Sequence, residues 1–340
     1  MNLEGKGCFL YVVSYVEGSN PNVIPSVAER QAHAVRLAEA AKSAGLSHVL
    51  IKVADGIYPY NRRRKNPVTG EIIFNSTLAD ATDDCILVTK ELQNRNIKVY
   101  GWQFVYSRFP TKEAEMAIQR MRELDLDGWV VNAEYAHKTI INGVEAWSPP
   151  QTMIAKVGEY MAAVRAETLR LKIPLGLSSY KFPSSHPSFP FSAFLEYCDF
   201  NMPQVYPVGD PRPDAHSIQL EKSIREYMAI NPDIKQIPTG GAYSQGYQVR
   251  GVTYSWVATP EQVTDFFAAC ERMGIEAANV WEWYAAAVRF PPLWNALAEY
   301  PWPGEIILPP AGEGDPLPWR PRPILYRTIN LQGRRFPRPR

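Results

Sequence analysis

Asp127-Gly128-Trp129-Val130-Val131-Asn132-Ala133-Glu134 reads as a buried strand that breaks off in Asn-x-Glu, with Tyr135 just beyond. The apolar side chains carry the backbone through a core, and an acid emerges at its rim. In a parallel barrel that rim is where chemistry sits. On these eight residues alone Glu134 fits a solvated loop acid equally well, so the rest of the chain decides.

Outward from this stretch, strand-like and helix-like runs alternate. Short apolar runs rich in β-branched and aromatic residues occur at 8–15, 47–54, 97–105, 127–133, 173–179, 198–206, 234–240 and 276–283. Their continuous hydrophobicity is that of parallel strands buried on both faces. Between them the spacing predicts amphipathic helices over 27–44, 79–95, 112–124, 150–171, 217–230, 260–273 and 291–299, with a short helix near 190–197. Gly45 suits a helix C′ position, and Thr259-Pro260-Glu261-Gln262 combines an N-cap, Pro at N1 and a capping-box Gln. The fold expected is α/β, a (β/α)8 TIM barrel over residues 1–303. An open doubly wound sheet is the alternative, but no Gly-rich phosphate loop follows the first strand, and Gly240-Gly241 lacks a Lys-Ser/Thr continuation.

The 340 residues carry a net charge of +1 and are 46% apolar and 12% aromatic, an ordinary globular composition. Cys8, Cys85, Cys198 and Cys270 lie far apart without a CxxC pair, so a zinc site or disulfide framework is not expected. No run is long enough to span a bilayer, and the N-terminus lacks a signal peptide of the usual form. Residues 304–340 differ: the last forty residues hold ten of the thirty prolines, and from Pro316 onward there are seven arginines and no acid. Such a segment buries too little apolar surface to fold alone. It reads as an extended Pro/Arg-rich tail or docking arm for a protein partner or a second copy of the chain. Nucleic acid is disfavoured by the balanced charge elsewhere.

Polar and aromatic residues collect where the strands end. Tyr15 and Glu17 follow the first. Lys52, Asp55 and Gly56 close the second. Trp102, Gln103 and Tyr106 close the third, and Asn132, Glu134 and Tyr135 the fourth. The fifth gives Ser178, Ser179, Tyr180 and Lys181, and the sixth Asn201, Gln204 and Tyr206. Thr239 and Tyr243 end the seventh, Trp281-Glu282-Trp283-Tyr284 the eighth. A cleft of carboxylates, amides and rings suits a sugar, whose C–H faces lie on rings while its hydroxyls bond amides and acids. His137 and His186 have no metal-ligand spacing, and no GxSxG elbow occurs. No cofactor and no metal are implied, a calcium site of loop carboxylates aside. Glycoside hydrolysis needs a protonated carboxyl at the glycosidic oxygen and a second group at the anomeric carbon. Glu134 suits the first role. Asp55, Glu17 and Glu282 are candidates for the second, although Asp55-Gly56 also fits a simple turn and Glu282 also fits an outward orientation. Lys52 needs a partner if buried, either Asp55 or Glu134.

Asp127-Gly-x-x-x-Asn132-x-Glu134 resembles the strand-four signature DGxDxDxE of family 18 chitinase-like glycosidases. Met202-Pro-Gln-Val-Tyr206 resembles their strand-six Met-x-Tyr region, and Trp281 or Trp283 fits their strand-eight tryptophan. Lys52-Val-Ala-Asp55-Gly56, Gly101-Trp102 and the Pro-Gln-Val-Tyr stretch are similar to family 25 lysozyme-like barrels. The likeness covers roughly residues 5–300. It implies Glu134 as general acid. It departs at Val130 and Asn132, where the signature has acids. In that family the acid two residues before the catalytic Glu supports a substrate N-acetyl group as nucleophile. Asn132 can hydrogen-bond an acetamido group but brings no charge.

The expectation is a glycoside-hydrolase-like barrel acting on a polysaccharide such as peptidoglycan or another amino-sugar polymer. Glu134, Asp55 and Asn132 are the catalytic candidates, and Trp102, Tyr180, Gln204, Tyr206, Trp281 and Trp283 line the subsites. The setting expected is extracellular, cell-surface or virion-associated. The other reading is a non-catalytic structural or carbohydrate-binding component of a larger assembly, such as a phage tail, anchored through residues 304–340.

Overall fold

A computed structural model of the chain describes residues 3–13, 23–134, 138–141, 144–147, 150–249 and 252–302, with 138–141, 144–147, 150–152 and 249 described by backbone alone. Tyr15, Glu17, Tyr135, His137 and the segment 304–340 lie outside the described residues.

Eight strands run in parallel: β1 Gly5–Leu10, β2 Leu46–Asp55, β3 Lys98–Phe104, β4 Gly128–Asn132, β5 Leu175–Tyr180, β6 Phe200–Val205, β7 Thr239–Gly241 and β8 Ala277–Trp281. Each pairs with its neighbours in chain order, and β1 pairs with both β8 and β2, which closes the barrel. A helix follows each strand: α1 Val27–Ser43, α2 Asp84–Gln93, α3 Pro110–Leu124, α4 Pro150–Leu171, α5 Phe191–Leu195, α6 Ala215–Ile230, α7 Pro260–Arg272 and α8 Pro291–Glu299. The fold is the expected (β/α)8 barrel. Local chemistry sets several boundaries. Ser26 and Glu29 close a capping box on α1, Thr259 and Gln262 close one on α7, and Gly45 adopts φ +65° after α1.

The barrel interior is a packed core. Phe9, Leu50, Tyr100, Trp102, Val130, Phe200, Met202, Ile237 and Ala277 fill it, contributed by the inward face of successive strands. Where two large residues would meet, one strand offers glycine. A Cβ on Gly128 would enter the Tyr100 ring, and one on Gly176 the Phe200 ring.

Four details differ from the sequence expectation. The first strand begins at Gly5 and ends at Leu10, not at 8–15. The seventh run is split: Lys235–Gln236 and Thr239–Gly241 pair separately with β6, and Pro238, without an N–H, stands between them. Helix α2 starts at Asp84 rather than 79, because 58–83 forms a small antiparallel excursion of strands 58–59, 62–65, 72–74 and 82–83. Buried ion pairs tie that excursion to the helices: Arg63 and Arg30 with Asp84, and Arg120 with Asp83. Beyond the eight expected strands, 138–141 pairs with 144–147 after β4, and 244–249 with 252–257 after β7, both antiparallel. All three insertions follow C-terminal strand ends, so they stand on the rim that carries the candidate site.

Candidate active site

Strand β4 begins by anchoring and ends by presenting. Asp127 Oδ2 accepts from the Val99 backbone N–H at 2.8 Å and from Gln93 Nε2 at 3.1 Å, which fixes the strand's entry against β3. Asn132, buried, and Glu134, half-buried, then reach the same donor. Gln204 Nε2 on β6 donates to Glu134 Oε1 at 2.8 Å and faces Asn132 Oδ1 at 3.2 Å and Ser178 Oγ at 3.3 Å. One amide with two hydrogens thus joins β4, β5 and β6 at the C-terminal end of the barrel. The register staggers them: Asn132 pairs with Ser178 and Ser178 with Met202, while Gln204 pairs with Tyr180, so Gln204 lies two residues beyond the level of Asn132, where Glu134 follows β4.

Two phenols flank the carboxylate. The Tyr206 and Tyr243 rings meet edge-to-face at 5.5 Å, and Tyr243 packs in turn on Trp256 at 5.6 Å. Burial raises both phenols above the usual tyrosine range, and the Glu134 charge adds to the rise. Both hydroxyls therefore stay protonated as donors at the rim. Tyr243 uses its own on Gln245 Oε1 at 2.7 Å.

A second polar centre lies at the end of β2. Lys52 Nζ is 2.7 Å from Asp55 Oδ2 and stands 4.3 Å from the Tyr60 ring centre, 4.4 Å from Tyr11 and 5.0 Å from Trp102. Of the two partners that the sequence left open for Lys52, the structure selects Asp55. The pairing chain Asp55–Phe104–Asn132 sets Asp55 level with Asn132, two strands away. That is roughly 10 Å along the sheet. Glu134 and Asp55 thus occupy different parts of the rim.

Of the remaining expected site residues, Trp281 is half-buried and packs at 5.7 Å on Trp102 and 6.2 Å on Tyr11, at the lumen mouth. Trp102 is 1% exposed and donates from Nε1 to the Leu50 carbonyl at 3.2 Å. It forms the floor under Trp281, which corrects its expected place on a subsite wall. Trp283 is corrected further. Strand β8 ends at Trp281, so alternation no longer governs position 283, and Trp283 is buried against Trp294 of α8 at 4.6 Å. Tyr180 is half-buried, with His186 stacked on one face at 3.5 Å. The Glu282 carboxylate accepts from the backbone N–H groups of Ala285 at 2.7 Å and Tyr284 at 3.1 Å, the posture of a local cap. Burial lifts its pKa above the usual carboxylate range.

Tyr11 and Tyr60, which enclose Lys52, were not singled out by the sequence. Tyr11 could have been found by alternation with Phe9 on the first strand, while Tyr60 sits in an insertion with no periodic signal. Among the described residues no group of His, Cys, Asp and Glu is arranged to hold a metal ion, and no helix is long and apolar enough to cross a membrane.

No protein-family model matches the sequence, and no curated protein matches it. Solved structures do. A family 18 chitinase from Cycas revoluta, in complex with allosamidin, superposes with a TM-score of 0.54 at 11% identity, over 87% of this chain and 99% of its own. A chitinase from Chromobacterium violaceum gives 0.53 at 11% identity, over 87% and 98%. The Bacillus cereus spore cortex-lytic enzyme SleL gives 0.53 at 12% identity, over 87% and 74%. At such identities the likeness establishes the fold. This chain has the (β/α)8 barrel fold of those chitinases and of the cortex-lytic enzyme.

Proposed function

We propose that this protein is a glycoside hydrolase of an amino-sugar polymer, of the chitin or peptidoglycan type, with Glu134 as its general acid. The observation that carries the reading is the Glu134–Gln204–Asn132 contact at the C-terminal ends of β4 and β6. It holds one carboxyl group, flanked by Tyr206 and Tyr243, where this barrel class keeps its chemistry. Protonated Glu134 gives its proton to the glycosidic oxygen as the bond from that oxygen to the anomeric carbon breaks. The substrate's acetamido oxygen then closes on the anomeric carbon, the role implied by the family 18 resemblance. Water opens that ring and returns a proton to Glu134. Asn132 orients the acetamido group by hydrogen bonding and Gln204 fixes both side chains. Asn132 supplies a dipole where the family signature has a charge, which predicts a slower step. Trp281 and Tyr206 border the reacting sugar. Such a polymer lies outside the cytoplasm, so an extracellular, cell-surface or virion-associated setting goes with this reading.

The neutral Asn132 also favours a second reading, a carbohydrate-binding component without turnover. Release of reducing ends from chitin and peptidoglycan, compared between the native chain and Glu134→Gln, separates the two. Turnover that disappears in the variant supports the hydrolase. Glycan binding without turnover in either form supports the binding component.

A further inference from the structure

The β2 end of the rim holds groups that the bond-breaking step leaves unused. An aromatic enclosure such as that of Tyr11, Tyr60 and Trp102 ordinarily receives a ligand's cation. Here the chain's own Lys52 ammonium occupies it, 3% exposed, and Asp55 supplies the countercharge at 2.7 Å. The enclosure is therefore closed to an external cation, and the pair is neutral as a unit.

What this pair turns toward solvent has a different character. The Asp55 side chain is 27% exposed. Tyr58 stands directly opposite it in the antiparallel pairing of 58–59 with β2 and is 50% exposed. Directly opposed residues share one face of a sheet. Tyr106, 42% exposed, lays its ring over Gly56, the residue after Asp55, where an added Cβ would come within 3.0 Å of Tyr106 Cδ2. Phe104 backs that ring at 4.9 Å. A carboxylate held by Lys52 thus stands beside two exposed rings, Tyr58 across the ladder and Tyr106 over Gly56.

We propose that Asp55, Tyr58 and Tyr106 form a subsite for an uncharged pyranose unit of the glycan, two strands along the rim from Glu134. The inference rests on the glycan reading of the Glu134 site and extends it to a second position. The rings cover the apolar faces of the sugar, and Asp55 accepts charge-assisted bonds from its hydroxyls. An amino sugar bearing an ammonium group gains little here, because Lys52 already cancels the Asp55 charge. Asp55 is then a binding residue, and the bond-breaking step proceeds without it.

The test is calorimetric titration of the full chain carrying Glu134→Gln with N-acetylglucosamine oligomers of two and six units, and with the fully deacetylated six-unit oligomer. Tyr58→Ala and Tyr106→Ala are each expected to weaken the acetylated six-unit ligand roughly fivefold and to leave the two-unit ligand unchanged. Tyr58→Phe, which keeps the ring, restores the affinity. The deacetylated oligomer is expected to bind at least roughly tenfold more weakly. Unchanged six-unit affinity in both alanine variants overturns the subsite and leaves the Glu134 reading standing. Equal binding of the deacetylated oligomer overturns its preference for an uncharged sugar. A parent chain that binds none of the oligomers overturns this inference and the glycan reading together.

Discussion

Gln204 Nε2, on β6, lies 2.8 Å from Glu134 Oε1, at the end of β4, although 70 positions separate the two in sequence. The same nitrogen reaches Asn132 and Ser178. An amide in this position controls where the carboxyl group points, which general-acid transfer requires. Glu134→Gln is expected to reduce turnover by about 10²–10⁴-fold. Gln204→Leu is expected to reduce it roughly tenfold or more through misplacement of Glu134. Initial rates of reducing-end release check both, and thermal melting establishes that each variant is folded.

The tryptophan that ends β8 and the one two residues beyond it divide by role. Trp281 borders the lumen, whereas Trp283 packs on Trp294 behind it. Trp283→Ala should lower stability by about 3–5 kcal/mol, as large-to-small changes in a core do. Trp281→Ala should weaken glycan binding with a smaller stability loss. Urea unfolding alongside ligand titration distinguishes these outcomes. The assignment fails if Trp283→Ala weakens binding and leaves the urea midpoint in place.

His48 makes stability depend on pH. It is buried in the barrel, 2.6 Å from Asn279 Oδ1 and 2.8 Å from Ser47 Oγ. Burial pushes its pKa down from 6.5 to about 4, only partly opposed by the Asn279 bond. Between these values the unfolded chain binds a proton that the folded chain refuses, so stability falls as pH drops from 6.5 toward 4. Above pH 6.5 both states are neutral at His48 and its contribution is flat. The slope from one such histidine reaches at most about 1.4 kcal/mol per pH unit. His33 and His216, lowered to about 4 and about 3, act in the same direction. Urea midpoints from pH 7 to pH 4 should decline, and His48→Gln should decline less steeply.

Gly176 tests the core. A Cβ there would overlap the Phe200 ring inside the barrel. Gly176→Ala is expected to cost about 1–3 kcal/mol, as overpacking does. Adding Phe200→Leu should recover part of that loss, since it removes the ring. Chemical denaturation of the two variants measures this coupling.

The sequence by itself determined the barrel. Buried parallel strands must be continuously apolar, helices must repeat every 3.6 residues, and caps such as Thr259–Gln262 are local, so all three are written in neighbouring residues. It also placed Asn132, Glu134, Gln204 and Tyr206 at strand ends, because in this fold the rim is where an apolar run stops. Only the tertiary structure decided which of them meet. The Gln204–Glu134 bond depends on the shared register of β4, β5 and β6. The choice of Asp55 for Lys52 depends on Tyr11, just past the end of β1, and Tyr60, in an insertion, closing around the ammonium. The burial of Trp283 depends on where β8 stops and α8 packs. Periodicity reports which face of an element is apolar. Side-chain partners across a barrel are set by strand order and stagger, which no window of neighbouring residues contains.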